Sequence, residues 1–197
     1  MTIFLILAPF GAFTMLMLVT SATVSLFAAA AVGLAVIAFD IVRGRAIKIL
    51  GAGSVILFAA LGFYLTLVDP GLSNSAVKLT VDAGVLAISL MSMAIRRPFT
   101  LQYALEVVDA DTAKLPGFMK ANYVITGAWT GAFLLMMIAN ALMIYVPGLP
   151  LWSGLAIAFA ARNTAIYFTK WYPKYRRAKF GAPAANALPG PEYAAKI

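Results

Sequence analysis

Residues 1–39 read MTIFLILAPFGAFTMLMLVTSATVSLFAAAAVGLAVIAF, and the first charged side chain in the chain is Asp40. A helix in water keeps one polar face toward solvent, and this run has none to offer. As continuous helix it would extend about 60 Å at ~1.5 Å per residue, roughly twice the hydrocarbon thickness of a bilayer. The run therefore has to cross, turn and cross back. It lacks a basic leader and outlasts a signal-peptide core, so it reads as a retained membrane segment.

The rest of the chain agrees. Of 197 residues, 63% are hydrophobic and 11% are charged, too few charges to coat a soluble globule. Cysteine and histidine are absent. Disulfides, thiol nucleophiles, histidine-bound metals or haem, and Ser-His-Asp catalysis are thereby excluded. No phosphate-binding glycine loop occurs, and the sequence implies no cofactor and no enzyme. The net charge of +8 is gathered beside apolar segments, which points to anionic lipid headgroups rather than nucleic acid.

Hydropathy and turn residues predict an all-α polytopic bundle of six transmembrane helices in three hairpins. The spans are 3–19, 24–42, 49–68, 76–95, 122–146 and 151–169, within one domain over 1–180. Segment 96–121 has mixed polarity and predicts a short interfacial helix, broken at Lys114-Leu115-Pro116-Gly117. Residues 181–197 are rich in Ala, Pro and Gly and predict a disordered tail. Basic residues follow the second, fourth and sixth spans, so the positive-inside rule places both termini in the cytoplasm. Tyr64, Tyr145, Tyr167, Tyr172, Trp152 and Trp171 fall near span ends as an aromatic belt, whereas Trp129 falls deeper.

Polar side chains inside spans are the candidates for function, because each is costly in lipid. They are Lys78, Asp82, Asn140, Arg162 and Asn163. Lys78 and Asp82 are spaced to share a helix face, either as a plain ion pair or as a cation- or proton-binding carboxylate. Arg162 lies eight residues before Lys170, about 12 Å into the membrane, and needs a protein, water or lipid-phosphate partner. Asp82 is a possible partner, although span boundaries put the two about two helical turns apart in depth. Asn140 and Asn163 read first as interhelical glue, and second as part of an anion pocket. Headgroup-binding candidates are Arg43, Arg45, Lys48, Arg96, Arg97, Lys170, Lys174, Arg176, Arg177 and Lys179. Glu106, Asp109 and Asp111 read as a solvated face, with an acidic metal site as the lesser alternative. Gly127 and Gly131 form a small-xxx-small pair that admits close helix approach and a possible homo-oligomer.

Val42-Arg43-Gly44-Arg45, Lys78-Leu79-Thr80, Arg96-Arg97-Pro98-Phe99, Asn122, Trp129, Asn140-Ala141, Tyr145 and Trp152 come in an order that resembles the intracellular septation protein A family of bacterial inner-membrane proteins. The similarity spans residues 4–169. It implies a multi-pass protein of the bacterial cytoplasmic membrane without a reaction of its own, acting as an accessory or scaffold for envelope growth and septation through membrane-protein partners. Asp82 and Arg162, the acidic loop and the Pro-rich tail fall outside the resemblance. They support two alternatives: a small transporter or channel for an ion or lipid-like anion, using Arg162, Asn163, Asn140 and Asp82, or a minor subunit of a larger membrane complex.

Overall fold

The structure, a computed structural model, describes residues 2–146 and 148–180; the tail expected at 181–197 lies outside the described residues. All of its regular structure is helical: α1 (Thr2–Leu16), α2 (Ala22–Val42), α3 (Ile49–Leu67), α4 (Asn74–Ala94), α5 (Phe99–Ala104), α6 (Ala110–Lys114), α7 (Pro116–Tyr145) and α8 (Leu151–Phe180). Four of these, α2, α3, α4 and α7, are long and apolar enough to cross a membrane.

Short polar signals set the boundaries. Ser21 and Ser73 cap α2 and α4, each hydroxyl accepting from the backbone N–H three residues on. At the other end of α2, Gly44 adopts φ +68, the Gly44 N–H donates to the Ile41 carbonyl and the Arg45 N–H to that of Asp40. This is a Schellman stop, which satisfies carbonyls the helix would otherwise leave bare. The end of α4 repeats it, with Arg96 at φ 59 in the glycine position and Arg97 N–H reaching the Ser92 carbonyl.

Three boundaries differ from expectation. The mixed segment forms two short helices, α5 and α6, because Asp109 leaves the helical path to cap α6: its carboxylate accepts from the Thr112 N–H at 2.7 Å. Pro116 starts α7 rather than breaking a helix, since a proline at the first position gives up an N–H that had no partner there. The basic cluster after Thr169 is helical, continuing α8 to Phe180 with Pro173 inside.

Packing follows chain order, α1 on α2, α2 on α3, α3 on α4, α4 on α7 and α7 on α8. Small residues let the first helices approach. A Cβ on Gly84 would lie 2.4 Å from Leu57, and one on Gly53 would lie 2.9 Å from Ile88. Fully buried Phe58 anchors the α1–α3 side, with the rings of Phe10 and Phe13 each at 5.5 Å. Buried hydroxyls are satisfied locally, Ser54 donating to the Leu50 carbonyl at 2.6 Å. On α4 and α7, Ser89 and Thr130 are hydrogen-bonded at 2.7 Å. Ile56, Phe63 and Leu34 point outward and are more than half exposed, as suits helices solvated by lipid.

A cation-lined cavity between α4, α7 and α8

The cations of α8 recur with helical period. Arg162, Ile166, Thr169, Lys170, Pro173, Arg176 and Arg177 fall at steps of three, four, seven and eight residues, which is one face of a helix. That face lines a cavity of about 1060 Å³. Opposite stand Ile125, Trp129, Phe133 and Met136 of α7 and Val81, Asp82 and Val85 of α4. Phe10 and Thr14 of α1 form a flank, while Phe99, Thr100, Tyr103 and Ala104 of α5 close the basic end. The cavity extends from Arg177 to Arg162, about 22 Å along the α8 axis at ~1.5 Å per residue.

Hydrogen bonds fix the helical registers. Trp129 Nε1 donates to Thr169 Oγ1 at 2.9 Å, and Arg176 donates to the Gly117 carbonyl at 3.3 Å, so α7 and α8 run antiparallel. Stepping seven residues from the Trp129–Thr169 contact puts Arg162 level with Met136. The Asn140 amide donates to Asp82 Oδ2, which puts Asp82 level with Asn140. The two charges are therefore one helical turn apart in depth, about 6 Å, rather than two. Both line the cavity, yet no ion pair joins them among the described residues. Arg162 is exposed and makes no hydrogen bond to protein among the described residues, so it does not act there as internal glue. Lys78 forms no ion pair with Asp82 either; Asn140 takes that place.

The remaining candidates separate. Asn163 is exposed and bonds its own helix at the Phe159 carbonyl, 2.7 Å away, and neither it nor Asn140 lines the cavity. Trp129 is 9% exposed and serves helix packing, not the interfacial belt. Gly127 and Gly131 face open space, with nothing within 4 Å of an added Cβ. Arg43 lies over the Phe39 ring, 4.3 Å from its centroid. Arg96, Arg97, Lys170, Lys174, Arg177 and Lys179 are exposed at the basic end, where headgroups were expected.

Lys48 is the exception among the headgroup candidates. It is 6% exposed and turned inward, with Nζ at 2.5 Å from Asp40 Oδ2 and 2.8 Å from Glu106 Oε1. Arg45 completes the network at 3.5 Å from Asp40. The Schellman turn at Gly44 folds the chain back so that Asp40 and Lys48 meet. Gln102 Oε1 also accepts from the Ile49 N–H at 2.7 Å, so α5 and, through Glu106, the turn after it are both tied to the start of α3. Tyr103, which lines the large cavity, lies beside Lys48 as well. Burial raises its hydroxyl pKa above the ordinary value, and the charges of Asp40 and Glu106 raise it further. The three loop carboxylates thus part company: Glu106 enters the ion network, Asp109 caps α6 and Asp111 faces solvent near Lys114. The backbone N–H of Thr112 and then its hydroxyl hold the Asp109 pKa below the usual carboxylate value.

The sequence signal for the cavity was the return of cations to one helix face, at Lys170, Arg176 and Arg177, eight, fourteen and fifteen residues after Arg162. The signal for the ion network was an acid and a lysine placed symmetrically about a glycine stop. No family model, curated protein or solved structure matches this chain.

Proposed function

We propose that the protein binds a membrane amphiphile with a phosphate-type headgroup in the α4–α7–α8 cavity, without catalysing a reaction on it. One observation carries the reading: among the described residues Arg162 has no protein partner, in a cavity with a row of cations on one wall and mainly apolar side chains on the other. Arginine and lysine suit phosphate oxygens, and the α7 wall suits hydrocarbon. The reading includes six crossings in three hairpins, with α1 and the Leu151–Thr169 part of α8 joining the four longer apolar helices. It also places both termini in the cytoplasm of a bacterial inner membrane, on the strength of the cation distribution.

Lipid retained by the full chain in mild detergent, measured by native mass spectrometry, tests the proposal. Arg162→Leu should lower phosphate-lipid retention about tenfold, the usual scale of one charge-assisted contact. Equal retention by wild type and variant would refute it.

A second reading is the accessory or scaffold role in envelope growth and septation, through membrane-protein partners. It is favoured by the open face of α7 at Gly127 and Gly131, which leaves room for a partner helix or a second copy. Gly131→Leu should abolish capture of such a partner in a mild-detergent pull-down and leave lipid retention intact.

A further inference from the structure

We propose that the inner end of the cavity is a subsite for a zwitterionic headgroup, Arg162 taking its phosphate and Asp82 its primary ammonium, so that the preferred amphiphile is an ethanolamine-type phospholipid. The inference rests on the lipid-binding reading and adds to it a requirement for a cation on the ligand.

Asp82 and Arg162 carry opposite charges into one cavity at depths one helical turn apart, yet they do not pair with each other. Two such charges left apart in low dielectric are costly, and each is satisfied by a group of opposite sign placed beside it. Asp82 has one carboxylate oxygen left for such a group. Its Oδ2 accepts from Asn140, which fixes the carboxylate plane, while Oδ1 has no hydrogen-bond partner among the described residues. A purely anionic headgroup drawn to Arg162 would meet this carboxylate as a like charge. An ethanolamine headgroup carries a phosphate and an N–H-bearing cation a few bonds apart, one charge for each of the two side chains. A quaternary ammonium has no N–H to donate to Oδ1. The other cations of the cavity, Lys170, Arg176 and Arg177, lie two or more turns nearer the basic end, and Lys78, one turn along α4, acts on Asp82 only at longer range, outside the cavity lining and without an ion pair.

The test uses the full chain in mild detergent, stripped of lipid and equilibrated with vesicles holding equal amounts of phosphatidylethanolamine, phosphatidylglycerol and phosphatidylcholine. Bound lipids are then counted by native mass spectrometry. Wild type is expected to take the ethanolamine lipid about tenfold over the other two. Asp82→Asn should bring ethanolamine and glycerol lipids to parity without lowering total lipid, and Asp82→Glu should keep the preference. Wild type binding the three alike, or Asp82→Asn keeping the wild-type preference, would overturn the subsite and leave the lipid-binding reading standing. Wild type taking up no phospholipid would overturn both. Where Asp82→Asn does not fold, the wild-type choice between the ethanolamine lipid and its N-trimethylated counterpart decides.

Discussion

Replacing Lys48 by Met tests the ion network that ties Glu106, in the turn after α5, to the α2–α3 hairpin. Methionine keeps the length and apolar bulk of the lysine stem and removes only the ammonium. Asp40, 7% exposed, and Glu106 would then share Arg45, which is one-third exposed and no closer than 3.5 Å to either. Breaking a buried pair by removing one partner costs about 3–5 kcal/mol, because the other charge is left behind. The residual help from Arg45 favours the lower end, about 3 kcal/mol. For a chain of this length that corresponds to a melting point roughly 6–12 °C lower, read by thermal unfolding in detergent. Removing the stranded charge as well, in the Asp40→Asn/Lys48→Met double variant, should recover half or more of the loss, so the two changes are coupled rather than additive. Because α5 closes the basic end of the cavity, Lys48→Met should also speed hydrogen exchange across residues 99–106 while leaving α2 protected. A melting point within about 1 °C of wild type, or a double variant equal to the sum of its singles, would refute the network as drawn.

The remaining predictions concern packing, backbone and pH. Gly84→Ala places a methyl against Leu57 and should destabilise by about 1–3 kcal/mol, whereas Gly127→Ala meets nothing and should gain a few tenths to about 1 kcal/mol; thermal unfolding of the pair checks the α3–α4 contact. Arg96→Gly relieves a left-handed arginine at the end of α4 and should stabilise by about 1 kcal/mol in the same assay. Tyr103 has a raised folded-state pKa, so its contribution is fully present below the ordinary tyrosine pKa and is lost as pH rises through the folded value. In an ultraviolet titration Tyr103 should ionise after the exposed tyrosines, and Tyr103→Phe should remove only that last step.

The helices were legible because lipid imposes a crude rule: long apolar runs must be helical, and charges mark their ends. The rule gave α2, α3 and α4 nearly to the residue, Arg43 and Arg96 marking two of the stops. It failed where a charge does something other than mark an end. Lys48 sits beside Arg45 in sequence and reads as one more headgroup cation, but the turn at Gly44 folds it onto Asp40. Pro116 looked like a breaker because a proline interrupts a helix from within and starts one from its edge. Lys170 to Lys179 fell outside the predicted span because charges were read as marking its end, whereas Lys170, Arg176 and Arg177 share a helix face with Arg162. Asp82 and Arg162 appeared two turns apart because their depths were counted from separate span ends. The Trp129–Thr169 and Asn140–Asp82 contacts link both through α7 and bring them to within one turn.

The residues that carry the family resemblance and the residues that line the cavity answer to different physics. Val42-Arg43-Gly44-Arg45 and Arg96-Arg97 form two copies of one capping geometry, in which a left-handed residue lets two N–H groups return to orphan carbonyls. Any apolar helix that must stop at a charged membrane edge is served by such a turn, so these residues specify where helices end. Arg162 has no such duty. Among the described residues it caps no carbonyl and pairs with no carboxylate, and on the proposed sixth crossing an arginine costs at least about 2.5–3.5 kcal/mol to insert. Reaching toward the basic end by snorkelling recovers part of that, but the side chain covers only about half of the 12 Å to Lys170. On the lipid-binding reading proposed above, the balance comes from the ligand in the cavity, since phosphate is the anion that a bilayer supplies in abundance. If Arg162 lies at that depth, the proposed ligand accounts for it in a way that the rules for helix stops do not.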